Sequence, residues 1–307
     1  MKHTILITND DGIDAPGLDA LIRGLIDAGY PIIVCVPDRE RSASTMHITL
    51  HKLLKLRRRD DLEKFYSSND MGASIHIFDV SGYPADCVMI ALEGGLPNDI
   101  PKPSLCVSGI NKGPNMSVDI LHSGTIGGAR QAGACGLPAI ATSIDSYDTD
   151  DFSIAIEPTL ELVRCVCKII PKTSVNLGRS GGSNFKSIGH DDNALLQNAL
   201  INGDIFLNIN VPLNWTGDYS STHLGGRWYR GALDIVEEQQ SEWLIKLGSA
   251  HIVDEPIENG DSHCVKLGRV SVSTLGTWPQ GHPLSIPDNV LKSTINEDGM
   301  PSWIMTD

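Results

Sequence analysis

Continuous apolar runs and one amphipathic segment define the beginning of the chain. Residues 4–8 and 32–36 contain little polar alternation, which is typical of strands that are buried on both faces. Between them, apolar residues recur at helical spacing from Leu18 to Leu25, after Pro16, which suits a first helical position. A strand, a helix and a second strand in such a short stretch predict a parallel βαβ unit.

The same alternation of apolar runs and amphipathic segments continues downstream. Further elements are predicted as strands at residues 105–107, 139–144 and 205–211, and as helices that begin at Pro84 or span residues 127–135 and 157–170. Residues 46–80 alternate more strictly, which predicts an antiparallel excursion. We therefore expect an α/β fold in which a mostly parallel sheet carries helices on both faces.

Composition suggests how the chain is divided. Its 307 residues approach the upper size for a single hydrophobic core. Residues 171–199 are rich in Ser, Gly, Asn, Lys and Asp, which predicts a flexible surface insertion. The expected organisation is an α/β core at residues 1–170, this insertion, and a smaller region at residues 200–307 that completes the sheet.

Charge and cysteine content narrow the range of partners. The chain has 24 Lys and Arg against 38 Asp and Glu, a formal net charge of −14. This balance argues against a nucleic acid or an anionic membrane as the main partner. Seven cysteines, no secretory signal and no apolar run of about 18 residues favour a cytoplasmic protein with reduced thiols.

Two adjacent carboxylates, Asp10 and Asp11, follow the first predicted strand and precede Gly12. Neighbouring carboxylates repel each other, and burying them is costly unless they are paired or hold a metal. Hard divalent cations favour such oxygen ligands. A pair of acids at a helix N-terminus is the simpler alternative. The glycine-rich fingerprint of dinucleotide-binding proteins is absent from this position, so NAD binding is not expected.

Two more polar loops are predicted at the same edge of the sheet. Ser42 lies in the loop after the second strand, and Asn111 lies in the loop after residues 105–107. Carboxyl ends of parallel strands meet at one edge, where ligands of open α/β sheets bind. Residues 123–125 (Ser-Gly-Thr) precede a predicted helix, and such a helix start can bind an anion.

Taken in order along the chain, these loops resemble the SurE (survival protein) family of metal-dependent nucleotide phosphatases. The similarity extends to residues 83–87, 113–115, 123–125, 207–212, 224–227 and 268–272. It covers nearly the whole chain apart from residues 171–199 and the extreme C-terminus. The resemblance implies a Rossmann-like core, a smaller extended β-rich region used in dimerisation, and a homodimer or homotetramer.

The resemblance also implies a site and an activity. Asp10, Asp11, Ser42 and Asn111 match the ligands of one divalent metal ion per subunit, expected to be Mg²⁺ or Mn²⁺. The implied reaction is hydrolysis of nucleoside 5′- and 3′-monophosphates, with Asp10 and Asp11 as catalytic residues. Whether a water or one of these carboxylates attacks phosphorus stays open. The expected phosphate-binding residues are Asn9, Ser108, Gly109, Asn115, Ser123, Gly124 and Thr125.

Some positions depart from the family pattern. Gln131 stands where family members often have Glu, and His122 stands where Tyr is common. Neither is among the expected metal ligands. These departures leave open a second class of function, a non-catalytic nucleotide- or metal-binding protein on the same scaffold.

Overall fold

The structure is a computed structural model that describes residues 2–67, 73–239, 241–248 and 251–305. Strands and helices alternate through most of these residues. The strands are β1 (Ile5–Thr8), β2 (Ile32–Pro37), β3 (Leu56–Arg58), β4 (Ile75–Val80), β5 (Leu105–Lys112), β6 (Ala139–Ile144), β7 (Ile205–Val211), β8 (Tyr219–Thr222), β9 (Gly226–Arg230), β10 (Leu233–Gln239), β11 (Glu242–Leu247), β12 (His251–Glu255) and β13 (Val270–Gly276).

Nine of these strands form one sheet, in the order β3-β4-β2-β1-β5-β6-β7-β13-β8. Most neighbours are parallel, but β3 is antiparallel to β4 and β13 is antiparallel to β7. The chain runs from β1 to β2 on one side, and later returns to β5 on the other side of β1. The strand order therefore reverses at β1, which creates a crevice beyond the carboxyl ends of β1 and β5.

Helices cover both faces of the sheet. They are α1 (Pro16–Asp27), α2 (Asp60–Ser67), α3 (Pro84–Leu92), α4 (Gly124–Ala134), α5 (Ser153–Ile169), α6 (Asp192–Ile201), α7 (Asp261–Lys266) and α8 (Asp288–Lys292). Ile5 and Ile7 lie in one core with apolar residues of α1, α5 and α6, whereas Leu6 lies in a second core with residues of α3 and α4. The predicted α/β fold, with a mostly parallel sheet and helices on both faces, is confirmed.

Several element boundaries differ from the prediction. In the described part of residues 46–80, β3 and β4 are antiparallel to each other, but β4 joins the sheet by pairing parallel with β2. Strand β5 continues to Lys112, so Asn111 lies at its carboxyl end rather than in a loop, and its pairing with β6 shifts register between Ser108 and Asn111. Helix α4 begins at Gly124 and α5 begins at Ser153, each earlier than predicted.

Residues 171–199 contain more regular structure than predicted. Helix α6 begins within this range, where the Asp191 side chain accepts a hydrogen bond from the Ala194 N–H. Its apolar side chains Leu196 and Leu200 are buried in the core. Nearer the start of the range, the Arg179 guanidinium is 2.7 Å from the Asp204 carboxylate, which lies between α6 and β7. The prediction was wrong for α6, which has few buried positions and follows a run of polar residues.

The described residues between 226 and 255, which we call the arm, form two antiparallel hairpins, one nested within the other. Strand β9 pairs with β12, and β10 pairs with β11 outside the main sheet. The second hairpin exposes large apolar side chains: Leu233, Ile235, Val236, Trp243, Leu244, Ile245 and Leu247. The remaining strands of this part of the chain, β7, β8 and β13, extend the main sheet.

Candidate functional site

Asp10 lies directly beyond β1 and is almost fully buried at the start of α4. The Gly124 N–H donates to Asp10 Oδ2 at 3.0 Å, and the Thr125 hydroxyl donates to Asp10 Oδ1. Burial raises the pKa of Asp10, while the Thr125 hydroxyl and the backbone N–H groups of α4 act in the opposite direction. The anion at this helix N-terminus is therefore the Asp10 carboxylate of the same chain.

Asp11 is partly buried and faces a cavity of 410 Å³. Its Oδ2 accepts a hydrogen bond of 3.1 Å from the Lys112 N–H at the end of β5. Burial and the neighbouring Asp10 carboxylate raise the pKa of Asp11 to about 7. The Lys112 ammonium does not pair with Asp11, because it lies 2.8 Å from Asp150. A bound cation would offset the repulsion between the two carboxylates.

Close backbone approaches hold the loops together. The Arg41 N–H donates to the Asp10 carbonyl at 2.6 Å. A Cβ on Gly12, which has φ +93°, would lie 2.6 Å from the Arg39 carbonyl carbon. A Cβ on Gly17 would lie 2.1 Å from a backbone oxygen of β5. Gly12 therefore lets the β1 loop touch the β2 loop, and Gly17 lets the first turn of α1 touch the end of β5.

The remaining expected metal ligands lie near Asp11. Ser42 is exposed and lines the same cavity as Asp11. Asn111 is partly buried, and its Nδ2 donates to the Gly113 carbonyl at 2.7 Å, which leaves Oδ1 as the atom suited to a cation. Asn111 directly precedes Lys112, whose backbone contacts Asp11. The metal-ligand roles of these residues stay predictions.

The donor set suits a hard divalent cation by its chemistry. Two carboxylates, a hydroxyl and an amide supply only oxygen atoms, which Mg²⁺ and Mn²⁺ prefer. Among the residues that the structure describes, no group of three or more His, Cys, Asp or Glu could hold a metal ion. The proposed set contains only two carboxylates, so it is a different kind of site from such a cluster.

The expected phosphate-binding residues fall into two groups. Ser123 caps α4 by accepting a hydrogen bond from the Ile126 N–H, and its neighbours Gly124 and Thr125 hold Asp10, as described above. Gly109 lies beside Ser108 at the irregular end of β5, where its φ is +137°. The Ser108 hydroxyl is buried and has no hydrogen-bond partner among the described residues. Ser108 is therefore better suited to a phosphate than the engaged donors of α4.

Two expected phosphate-binding asparagines form internal contacts. Asn9 is buried, its Nδ2 donates to the Gly12 carbonyl at 2.9 Å, and its Oδ1 accepts from the Gly12 N–H at 3.2 Å. Asn115 donates from Nδ2 to Ser143 at 2.8 Å, and its backbone is held by Asn210. These contacts shape the loops that carry the site. Phosphate contact by either asparagine stays a prediction.

Ser44, which the sequence did not single out, lies beside the buried Asp10 carboxylate. Its buried hydroxyl has no hydrogen-bond partner within the described part of the chain. A Cβ on Gly124 would lie 2.4 Å from Ser44 Oγ and 2.8 Å from Asp10 Oδ2, so the hydroxyl lies beside the buried carboxylate. Only its place in the β2 loop distinguishes it in the sequence.

The 410 Å³ cavity also has walls that the sequence analysis missed. Tyr147 and Phe152 line it together with Asp11 and Ser42, and Glu40, Lys112 and Asp150 contribute charged groups. Tyr147 follows β6, and its position after another parallel strand of the same sheet is the signal that could have found it. The arrangement places two aromatic rings in the cavity that contains Asp11 and Ser42.

Two features of the whole structure concern its helices and its cysteines. No helix in residues 2–67, 73–239, 241–248 and 251–305 is long and apolar enough to cross a membrane. All seven cysteines are unpaired thiols, and six of them are buried.

Comparison with known proteins gives consistent matches. Residues 5–231 match the family model described as Survival protein SurE. The chain is 33% identical over 277 residues to the 5′-nucleotidase SurE of Heliobacterium modesticaldum, covering 88% of this chain and 85% of the relative. It is 34% identical over 272 residues to the protein of the same name from Pelotomaculum thermopropionicum, covering 88% and 87%.

A solved structure has a similar fold. The crystal structure of the SurE protein from Aquifex aeolicus aligns with a TM-score of 0.64 and 26% sequence identity. The alignment covers 94% of this chain and 97% of that chain.

Proposed function

The chain belongs to the SurE family, and from this membership and the geometry of its acidic site we propose that it is a metal-dependent 5′-nucleotidase. The observation that supports the proposal is the meeting of the β1, β2 and β5 ends at the point where the strand order reverses. There Asp11 and Ser42 line one cavity, and the adjacent Asp10 is buried against the start of α4. Relatives over most of the chain carry the name 5′-nucleotidase. No observation favours a non-catalytic binding protein.

The two carboxylates have different environments, which suggests different roles. Asp10 is almost fully buried and both its oxygens accept hydrogen bonds from α4, so it forms a fixed negative support. Asp11 faces the cavity and is held through Oδ2 alone by the Lys112 N–H. We assign to Asp11 the contact nearest the reacting phosphate, and to Asp10 the role of orienting the charge behind it.

Asp10, Asp11, Ser42 and Asn111 would hold the divalent cation, with Mg²⁺ or Mn²⁺ as the proposed ions. When bound, such a cation supplies charge neutralisation of the phosphoryl oxygens and lowers the pKa of a coordinated water. The chain's own contribution is to position the phosphate. The unpaired buried hydroxyls of Ser44 and Ser108 are the proposed donors to its oxygens.

The finer features of the function are proposals as well. Nucleoside 3′-monophosphates are proposed as additional substrates. Each subunit is proposed to bind one metal ion, and the protein is proposed to act in the cytoplasm. The division of the chain at residues 170 and 199 also stays a proposal.

We also propose that the arm joins two copies of this chain. An isolated two-stranded hairpin is marginally stable in water, and β10 with β11 exposes seven large apolar side chains. A second copy would present the same surface, and a symmetric contact between two arms would cover both. A homodimer, or a homotetramer built from two such dimers, follows from this proposal.

The activity test measures phosphate release from adenosine 5′-monophosphate in the presence of Mg²⁺ or Mn²⁺, and again in excess chelator. Hydrolysis that stops in chelator and returns when the metal is restored is the expected result. Undiminished hydrolysis in chelator would contradict the metal-dependent mechanism. No release from any nucleoside monophosphate with metal present would contradict the nucleotidase activity itself.

A further inference from the structure

Tyr147 presents an aromatic ring to the cavity that contains Asp11 and Ser42. It is 53% exposed, lies just beyond the carboxyl end of β6, and lines the cavity together with Phe152. A Cβ on Gly113 would lie 2.6 Å from Tyr147 Cε1, so the ring packs directly on the Gly113 backbone. One side of the ring is therefore supported by the chain, and the exposed remainder is available to a ligand.

One hydrogen bond from the arm reaches the end of this ring. The hydroxyl of Tyr147 is 3.5 Å from that of Tyr229 in β9, and the Tyr229 hydroxyl donates to Asp119 at 2.5 Å. Because the Tyr229 proton is directed to Asp119, Tyr147 acts as the donor to Tyr229. Arg227 lies 3.5 Å from the same carboxylate and makes two bonds, of 2.7 and 3.0 Å, with Asp254. This partly buried ion-pair network positions the Tyr229 hydroxyl.

We propose that Tyr147 is the residue on which the substrate's nucleobase stacks, with Tyr229 as the residue that positions it. The inference rests on the proposed function and specifies its substrate contact. The cavity is lined by polar and charged side chains, among them Asp11 and Ser42, and by the aromatic rings of Tyr147 and Phe152. This combination suits a ligand that carries both a phosphate and a flat ring.

The size and chemistry of the cavity support this assignment. Its volume of 410 Å³ lies within the roughly 300–1,000 Å³ range of small-molecule sites. Stacking on an aromatic side chain is available to every nucleobase, because each base has a π-face. The proposal therefore predicts modest discrimination among the bases, and stronger discrimination against phosphomonoesters that lack a base.

The test compares Tyr147→Ala with the parent protein on adenosine 5′-monophosphate and on ribose 5-phosphate, which keeps the sugar and phosphate but lacks the base. The nucleotide's kcat/KM is expected to fall about tenfold to a hundredfold, mainly through KM, given the usual strength of base stacking. Ribose 5-phosphate hydrolysis is expected to change by less than about twofold. Tyr147→Phe keeps the ring and is expected to retain most activity towards the nucleotide.

A second pair of variants separates positioning from general damage. Tyr229→Phe removes the hydroxyl next to Tyr147 and is expected to raise KM for the nucleotide a few-fold with kcat unchanged. Phe185→Ala removes an exposed aromatic ring that does not line the cavity, so it is expected to match the parent. An unchanged nucleotide KM in Tyr147→Ala, or an equal loss on both substrates, would overturn the proposal.

Binding without turnover makes this test independent of catalysis. If the parent hydrolysed neither compound, the proposed function would fail while the stacking proposal could still be measured by calorimetry in chelator. Tighter binding of adenosine 5′-monophosphate than of ribose 5-phosphate by the parent, with the difference lost in Tyr147→Ala, would support Tyr147 as the base contact. Equal binding of the two compounds by the parent would overturn it.

Discussion

At the carboxyl edge of the sheet two carboxylates are withdrawn from solvent, whereas in the arm large apolar side chains are exposed to it. The chain itself supplies the contacts that stabilise the first arrangement, since α4 and the end of β5 donate hydrogen bonds to Asp10 and Asp11. It supplies no comparable cover for Trp243 or Leu244 in the described structure, and both are at least half exposed. The edge is organised within one chain for a small charged ligand, and the arm is suited to another protein surface.

The comparison predicts that a substitution which removes a carboxylate charge at the acidic edge lowers activity and raises stability. Asp11→Asn is expected to lower kcat by on the order of 10³-fold, because a correctly held cation contributes several kcal/mol to the transition state. The variant is expected to fold, since Asn keeps the shape and can still accept from the Lys112 N–H. Phosphate release with Mn²⁺ and circular dichroism of the same sample measure the two effects. Parent-level activity would remove Asp11 from the site.

The pH dependence of the unfolding temperature, measured without metal, gives a second test of the same variant. The folded-state pKa of Asp11, about 7, lies above its ordinary value of 3.8. The contribution of Asp11 to the free energy of unfolding is therefore fully present below about pH 4 and is lost as pH rises through about 7. In chelator, Asp11→Asn is expected to unfold at a higher temperature than the parent at pH 8, and at a similar temperature at pH 4. A variant less stable than the parent at pH 8 would contradict this sign.

A smaller effect is expected from the support behind Asp10. Thr125→Val removes the hydroxyl that donates to Asp10 Oδ1, which is expected to cost about 1–3 kcal/mol of unfolding free energy. It is also expected to lower kcat about tenfold to a hundredfold, as is usual for groups that orient metal ligands. Thr159→Val is the matched control, because its buried hydroxyl bonds only Thr142 at 2.8 Å in the described contacts. Equal activity losses in both variants would indicate general destabilisation.

The two regions also differ in how far the sequence could predict them. Asp10 and Asp11 stand out because a charged pair after an apolar strand needs a compensating partner. The partner of Asp10 is not readable, since Thr125 lies 115 residues away and its contact depends on how α4 packs. Residues 123–125 were predicted to bind phosphate at a helix start, and that role stays a prediction. In this structure the Gly124 N–H and the Thr125 hydroxyl donate to the chain's own Asp10 carboxylate. Tyr147 was missed because the periodicity of apolar positions does not show which aromatic side chain of a loop faces a cavity.

The predicted boundaries of some helices were wrong for a related physical reason. The fold follows from apolar runs that must be buried on both faces, and those of β1 and β2 are unambiguous. Helix α6 buries few side chains, and residues 171–191 before it are rich in polar residues, so its pattern is weak. The Pro158 ring favours a helix start, yet α5 begins five residues earlier at Ser153. Tertiary packing overrode the local preference in both places.

The smallest expected effect on the folded subunit comes from the arm, and it separates the two regions most directly. Leu244→Glu combined with Ile245→Lys leaves the net charge unchanged and places charges on β11, where both side chains are more than half exposed. Because these residues cover little of the chain's own core, the change in unfolding free energy of the subunit is expected to stay within about 0.5 kcal/mol.

The assembly, by contrast, is expected to change completely in this double variant. Light scattering should give the 33.1 kDa mass of one chain for the variant and a multiple of it for the parent. Leu213→Lys, at an exposed position outside the arm, is the control and should keep the parent's mass. An unchanged mass in the double variant would show that subunits meet elsewhere. If the mass falls and nucleotide hydrolysis also falls through KM, the arm acts on the cavity through Tyr229 and Tyr147, so that the two regions are coupled.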